Sequence, residues 1–167
     1  MNNNITFGGN PITLIGSEIK VGAKAPNFTA LKTDLSSFSL DELKGKVVVI
    51  SVMPSVDTPV CDLQTVRFNT EAYEYGNIHV ITISVDLPFA LGKFCANKGV
   101  DSAITLSDHK DLDFGMKYGF VIEELRLLSR GTVVIDKDGT VQHVEYVKEV
   151  TNHPDYDKAM DIAKKLT

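Results

Sequence analysis

Residues 47–68, VVVISVMPSVDTPVCDLQTVRF, contain the pattern that decides the fold of this chain. The first seven residues, VVVISVM, form a continuous apolar run of the kind that a parallel sheet buries on both faces. The run stops at Pro54 and a short polar loop follows. Thr58 is an acceptable N-cap and Pro59 suits the first helical position, so Cys61 is predicted to lie in the first turn of a helix.

Alternating helices and strands are predicted on the C-terminal side of this stretch. They are marked by helical spacing of apolar residues, by runs of β-branched residues and by an Asp-Gly turn. The elements are a helix over residues 59–75, with Leu63, Val66 and Tyr73 on one face and Gly76 at its end, the strand IHVITISVD, the helix LPFALGKFCANKG closed by Gly99, the hairpin TVVID-KDGT-VQHVEYV and the final helix DYDKAMDIAKKLT.

Two short hairpins are predicted before the buried strand. ITF and ITLIG flank Gly8-Gly9-Asn10-Pro11, which is read as a turn, and FTALKTD with SSFSLDELKGK forms the second hairpin. With 167 residues, the chain is expected to fold as one domain over residues 1–167. The order of elements predicts an α/β, thioredoxin-like sandwich, in which helices flank a central mixed β-sheet, with an N-terminal β-hairpin extension.

The composition excludes several classes of function. The net charge is −5 and no basic run is present, which argues against a nucleic-acid surface. The N-terminus lacks the basic and apolar regions of a secretory signal, and no apolar stretch approaches the roughly 20 residues of a membrane span. We therefore expect a cytoplasmic protein with no membrane or nucleic-acid partner, in which thiols are kept reduced.

Cys61 has the local setting of an activated thiol. Only the thiolate attacks, and a helix N-terminus favours the anion because it presents unpaired N–H groups and about half a positive charge. The alternative is that Cys61 and Cys95, the two cysteines of the chain, are inert side chains packed as small hydrophobic residues.

These residues resemble a known family. Pro54, Thr58 and Cys61 stand as Pro-x-x-x-Thr-x-x-Cys, which resembles the active-site motif of peroxiredoxins, and PSVDTPVC is similar to the string of the thiol peroxidase (Tpx) subgroup, the atypical two-cysteine peroxiredoxins. The similarity covers nearly the whole chain, including KFC around Cys95, SRGTVVID around Arg130 and VKEVTNHPDYDKA before the last helix. It implies an antioxidant, thiol-specific peroxidase that reduces hydrogen peroxide and alkyl hydroperoxides to water and alcohols, with no cofactor and no metal.

The resemblance also implies a role for each motif residue. Cys61 would be the peroxidatic cysteine, which attacks the peroxide and becomes a sulfenic acid. Thr58 would hydrogen-bond the thiolate and the substrate, and Arg130 would hold both in register while lowering the pKa of Cys61. Pro54 would shield the thiolate. Read without the family, Thr58 is a simple N-cap, Arg130 a surface residue and Pro54 a strand terminator.

Cys95 would be the resolving cysteine, which condenses with the sulfenic acid to a disulfide between Cys61 and Cys95. This step implies that both helices partly unwind, and Gly92 and Gly99 around Cys95 are consistent with such remodelling. The resemblance further implies thioredoxin as the reductant and a homodimer. Without the family, a cysteine beside Phe94 on a helix is most often a core residue.

Other functions were weighed against these residues. A thioredoxin-type disulfide reductase needs Cys-x-x-Cys, but Asp62, Leu63 and Gln64 follow Cys61. A cysteine hydrolase needs a histidine base, and the four histidines stand in no recognisable motif. A zinc site lacks a close ligand pair. A non-enzymatic binding module stays open at this stage.

Apolar side chains near the motif would suit an alkyl hydroperoxide substrate. The alternative is that they are ordinary core residues, which is the better prediction for most of them. They are Phe89, Leu91, Phe120, Leu127 and Leu128.

Overall fold

The apolar run VVVISV forms a fully buried strand in the middle of a seven-stranded sheet. The computed structural model describes residues 4–57, 64–65, 67–70, 72, 77–98 and 104–167. Its strands are β1 Thr6–Phe7, β2 Asn10–Pro11, β3 Leu14–Ile15, β4 Thr29–Leu31, β5 Ser37–Ser39, β6 Val47–Val52, β7 Ile78–Ser84, β8 Ile104–Ser107, β9 Val121–Ile122, β10 Leu127–Leu128, β11 Gly131–Ile135 and β12 Val141–Tyr146. Its helices are a 3-10 turn at Leu40–Leu43 and the α-helices α1 Pro88–Lys98, α2 Asp113–Tyr118 and α3 Tyr156–Leu166.

The large sheet is mixed, with strand order β12-β11-β6-β7-β8-β4-β5. The central strands β6, β7 and β8 are parallel to one another, whereas β11 and β12 on one side and β4 and β5 on the other run antiparallel to their neighbours. A parallel pair requires a crossover connection. The described helical residues 64–65, 67–70 and 72 lie in the connection between β6 and β7, and α1 lies in the connection between β7 and β8. The predicted central mixed sheet with flanking helices is confirmed.

Each face of the sheet covers its own apolar core. Val48, Ile50 and Val52 of β6 point to one core, which also holds the aromatic residues Phe28, Phe114, Tyr118 and Phe120. Val47 and Val49 point to the other core, which holds Phe68 and the apolar side of α3. Successive strand residues face opposite sides of a sheet, so a strand with a core on each face is apolar on both, and Ser51 is the one polar residue of β6.

The N-terminal hairpin is confirmed, but its turn is shorter than predicted. Thr6 pairs with Pro11 and Phe7 with Asn10, so the turn consists of Gly8 and Gly9 alone. Both glycines have positive φ, +61° and +83°, as a two-residue turn matching the strand twist requires. Ile12, the first residue of the ITLIG segment, still donates its N–H to the Ile5 carbonyl at 3.0 Å, whereas Leu14 and Ile15 form β3 and pair with β9 in a separate three-stranded sheet.

The other predicted elements agree with the structure where it describes them. The hairpins β4–β5 and β11–β12, the strand β7 and the helices α1 and α3 are present, and Asp155 caps α3 by accepting from the Lys158 N–H at 3.1 Å. The described residues of the segment 59–75 are helical, while Leu63, Val66, Tyr73, Gly76 and Gly99 lie outside the described residues. Sequence reading missed β8, α2 and the β9–β10 pair. No described helix is long and apolar enough to cross a membrane.

Candidate active site

Three of the five predicted catalytic residues are described by the structure. Pro54 is buried just beyond β6, Arg130 immediately precedes β11, and Cys95 lies on α1. Thr58 and Cys61 lie outside the described residues. The described residues around them therefore define the surroundings of the site.

Arg130 is buried, with only 2% of its surface exposed, so its reading as a surface residue is wrong. Its Nε donates to the carbonyl of Val150 at 2.6 Å, and its Nη1 donates to Oε1 of Gln64 at 2.9 Å. The neighbouring position requires glycine, because a Cβ on Gly131 would overlap the carbonyl of Glu145. A buried charge is stable only when it is paired or hydrogen-bonded, and here backbone and amide oxygens hold the guanidinium.

Gln64 is a site residue that the sequence reading missed. It is fully buried and helical, three positions after Cys61. Its Nε2 donates to Oγ of Ser51 on β6 at 2.6 Å, while its Oε1 accepts from Arg130. In the helix predicted from the sequence over residues 59–75, residues three apart share one face. A polar residue at this spacing from the predicted nucleophile was the signal that could have identified Gln64.

Cys95 is a buried free thiol that lies at the edge of a cavity. Its Sγ donates to the hydroxyl of Thr105 on β8 at 3.2 Å. The cavity, of about 510 Å³, lies between α1 and the β4–β5 edge and is lined by Phe38, Leu43, Gly92 and Ile104 among others. Cys95 is thus not enclosed on all sides, and space adjoins the part of α1 that carries it.

A row of hydroxyl side chains crosses the sheet between Arg130 and Cys95. Thr132 of β11 pairs in register with Ser51, Ser51 with Thr82 of β7, and Thr82 with Thr105. We call these four residues the hydroxyl row. Ser51 contacts Gln64 and Thr105 contacts Cys95, so the row connects the Arg130–Gln64 pair with Cys95. All four are buried.

Two members of the hydroxyl row, Thr82 and Thr132, have no hydrogen-bond partner among the described residues. Replacing Thr82 by valine should therefore raise the free energy of unfolding of the reduced protein by about 1 kcal/mol, because a buried polar group without a partner costs roughly that amount. Urea unfolding under reducing conditions measures it. Thr105→Val is the matched control, since it removes a hydroxyl that accepts from Cys95 and should not stabilise. Equal destabilisation by both variants would contradict the expectation.

The apolar residues that were considered for substrate binding separate into two groups. Leu91, Phe120 and Leu128 are fully buried in the cores, as the alternative reading predicted, and Leu127 is partly buried. Phe89 on the first turn of α1 is 70% exposed. Of the five, therefore, Phe89 alone presents a large apolar surface to solvent.

Comparison with known proteins assigns the chain to a family. The Redoxin family model matches residues 20–160. The thiol peroxidase of Halalkalibacterium halodurans is 59% identical over 160 residues, which cover 96% of each chain. The thiol peroxidase of Bacillus subtilis is 54% identical over 162 residues, which cover 97% of each chain.

Solved structures share the fold over nearly the full length. A peroxiredoxin-like protein from Aquifex aeolicus superposes with a TM-score of 0.91 at 36% identity, covering 98% of this chain and 96% of the other. A thiol peroxidase from Chromobacterium violaceum, at 20% identity and a TM-score of 0.87, shares the fold over 96% of this chain and 95% of its own. The chain accordingly belongs to the thiol peroxidases of the Redoxin family and is a peroxide-reducing enzyme of the peroxiredoxin type.

Proposed function

We propose that the chain reduces hydrogen peroxide and alkyl hydroperoxides through a sulfenic acid on Cys61 and an intramolecular disulfide with Cys95, which thioredoxin reduces. The Cys61 thiolate attacks the terminal peroxide oxygen, the O–O bond breaks, and the other oxygen leaves as water or alcohol after taking a proton. The Cys95 thiol then attacks the sulfenic sulfur, and water leaves as the S–S bond forms. Two thiols of thioredoxin regenerate the dithiol and are themselves oxidised to a disulfide.

The observation that carries this proposal is the buried Arg130 guanidinium joined to Gln64. Gln64 stands three positions after Cys61, so the cation is attached to the chain segment that carries the nucleophile. A nearby cation favours the thiolate and stabilises negative charge that develops on the leaving oxygen. In this mechanism Thr58 donates to the thiolate or accepts from the peroxide, and Pro54 limits water at the site.

The surroundings of Cys95 support its role in the second step. The thiol is free, is mostly buried and borders a cavity, so it is available to attack the sulfenic sulfur once the two segments approach each other. Gly92 precedes it by three positions on α1, where glycine weakens a helix, and the cavity adjoins both residues. Closing the 34-residue loop between Cys61 and Cys95 contributes about 3–4 kcal/mol in the chain-entropy account, which offsets lost helical turns.

The disulfide is tested with one equivalent of hydroperoxide. Wild type should lose both thiols, stay at monomer size on non-reducing electrophoresis, and yield a peptide that joins Cys61 to Cys95. Cys95→Ser should still react once, then remain as a sulfenic acid that over-oxidises and turns over poorly with thioredoxin. A disulfide-linked dimer band in the wild type would instead place the resolving step between subunits.

The remaining parts of the proposal concern the protein's assembly and setting. We propose a single domain over residues 1–167, a homodimer and a cytoplasmic location, in which thioredoxin is available as the reductant. Light scattering of the reduced protein measures the mass of the assembly directly. A monomer mass at all concentrations would contradict the proposed homodimer without affecting the proposed chemistry.

A further inference from the structure

Asp86 lies between the two chain segments that carry the cysteines. It follows β7 and stands two positions before Pro88, the first residue of α1, on which Cys95 lies. Because β6 and β7 are parallel neighbours, their carboxyl ends meet at one edge of the sheet, and the loop after β6 passes beside Asp86. That loop leads from Pro54 towards Cys61.

Three donors converge on the partly buried carboxylate of Asp86. Its Oδ1 accepts from the Ser55 hydroxyl at 2.7 Å, and its Oδ2 accepts from the Val56 N–H at 2.8 Å and from the Ser84 hydroxyl at 2.7 Å. The backbone of Asp86 is held as well, since its carbonyl accepts from the Ser107 hydroxyl at 2.5 Å. Hydrogen bonds to an ionised carboxylate are roughly twice as strong as neutral ones, so this contact fixes the loop firmly.

The residues held by Asp86 are those inside the peroxidatic motif. Ser55 and Val56 stand between Pro54 and Thr58 in Pro-x-x-x-Thr-x-x-Cys. The side chain of Val56 is 4% exposed and packs with Met53 and Leu91, the latter on α1, in a small apolar cluster. The loop is therefore anchored on one side by a charge-assisted network and on the other by apolar contact with α1.

We propose that Asp86 is a positioning residue for peroxide reduction: it holds the Pro54–Asp57 loop in the geometry from which the chain leads to Cys61, the residue that attacks the peroxide. The proposal rests on the proposed function, in which Cys61 is the nucleophile. Asp86 acts through the loop and makes no contact with the reacting atoms in this scheme. A misplacement of about 1 Å in a reacting group costs on the order of a hundredfold in rate, so loss of this anchor should affect the peroxide step most.

The test compares Asp86→Ala with a matched carboxylate elsewhere. Asp136, in the β11–β12 turn, likewise accepts three hydrogen bonds, from the Asp138 N–H at 2.9 Å, the Thr140 N–H at 2.9 Å and the Gln142 amide at 2.6 Å. Asp136→Ala thus removes the same number of bonds away from the motif. Stopped-flow measurements on the reduced full-length variants, with both cysteines intact, separate the reaction with hydrogen peroxide from the later formation of the disulfide.

Asp86→Ala should slow the peroxide step by about tenfold to a hundredfold, change its pH profile, and change disulfide formation by less than about threefold. Asp136→Ala should leave both steps and the pH profile near wild type. Asp86→Asn, which keeps one acceptor oxygen, should fall between Asp86→Ala and wild type, and it serves as the test if the alanine variant does not fold.

Two results would overturn the positioning role. One is a rate of the peroxide step in Asp86→Ala that equals the rate in Asp136→Ala. If Asp86→Ala does not fold, the rate in Asp86→Asn is compared instead. The other is an equal loss of rate in both chemical steps with an unchanged pH profile, which is the result expected from a general destabilisation of the structure. Either result leaves Cys61 as the nucleophile, because that assignment depends on variants of Cys61 itself.

Discussion

Replacing Cys61 by serine should abolish rapid peroxide consumption by this enzyme. A serine hydroxyl stays protonated at neutral pH and is a far weaker nucleophile than a thiolate, so we expect a loss of at least about a thousandfold. The measurement is the initial rate of hydrogen peroxide loss with thioredoxin, thioredoxin reductase and NADPH in excess. Far-UV circular dichroism of the variant checks that the fold is retained.

Cys95→Ser is the matched control for this prediction. A serine at position 95 keeps a hydroxyl that can donate to Thr105, as the thiol does in the structure. The control should therefore retain one fast reaction with peroxide, although it cannot complete the cycle. Near-wild-type turnover by Cys61→Ser would remove Cys61 from the mechanism, and with it the whole proposed chemistry.

Replacing Arg130 by alanine should slow the peroxide step and raise the pKa of Cys61. In the proposed mechanism the guanidinium favours the thiolate. Without it a smaller fraction of Cys61 should be ionised at neutral pH, and the midpoint of the rate–pH curve should move towards the pKa of roughly 8.5 of an unperturbed cysteine. Thiolate absorbance at 240 nm, titrated in wild type and variant after Cys95→Ser removes the second thiol, reports the pKa of Cys61 directly.

Arg130→Ala should also destabilise the folded protein. Arg130 donates to Val150 and Gln64 in the buried interior, so its removal leaves two acceptors without a donor and should lower the free energy of unfolding by about 1–3 kcal/mol. Arg130→Lys keeps the charge but not the planar fork, and should restore part of the pKa effect. Arg126→Ala, at an exposed turn where the side chain donates to the His109 carbonyl, is the control. Coincident titration curves for wild type and Arg130→Ala would exclude an electrostatic role.

Elements with strong local patterns were the ones that sequence reading predicted well. The run at Val47–Val52 is apolar at every position except Ser51, because a core lies on each side of it. The helix α3 is predicted by an Asp cap at its start and by two lysines, Lys164 and Lys165, in its last turn. Such patterns involve residues that are close in sequence, so they can be recognised without knowledge of the rest of the fold.

Short elements that depend on distant partners were missed. β9 has two residues and is a strand because it pairs with both β3 and β10. α2 has six residues, fewer than an isolated helix needs, and its first N–H groups are satisfied by Asp108, which accepts from Phe114 and Gly115. Pairing and capping of this kind come from other parts of the chain, which no local pattern encodes.

Residues close together along the chain encode the class of chemistry, through the motif Pro54, Thr58 and Cys61 and through the βα order that places a cysteine at a predicted helix start. The polar groups that hydrogen-bond to one another are known only from the folded structure. They are Arg130 with Gln64, Cys95 with Thr105, and Asp86 with Ser55 and Val56. A helix start that favours a thiolate depends on neighbours in sequence. Buried hydrogen bonds depend instead on strand order and register, which bring together residues 30 positions apart, as for Asp86 and Val56, or 66 apart, as for Arg130 and Gln64.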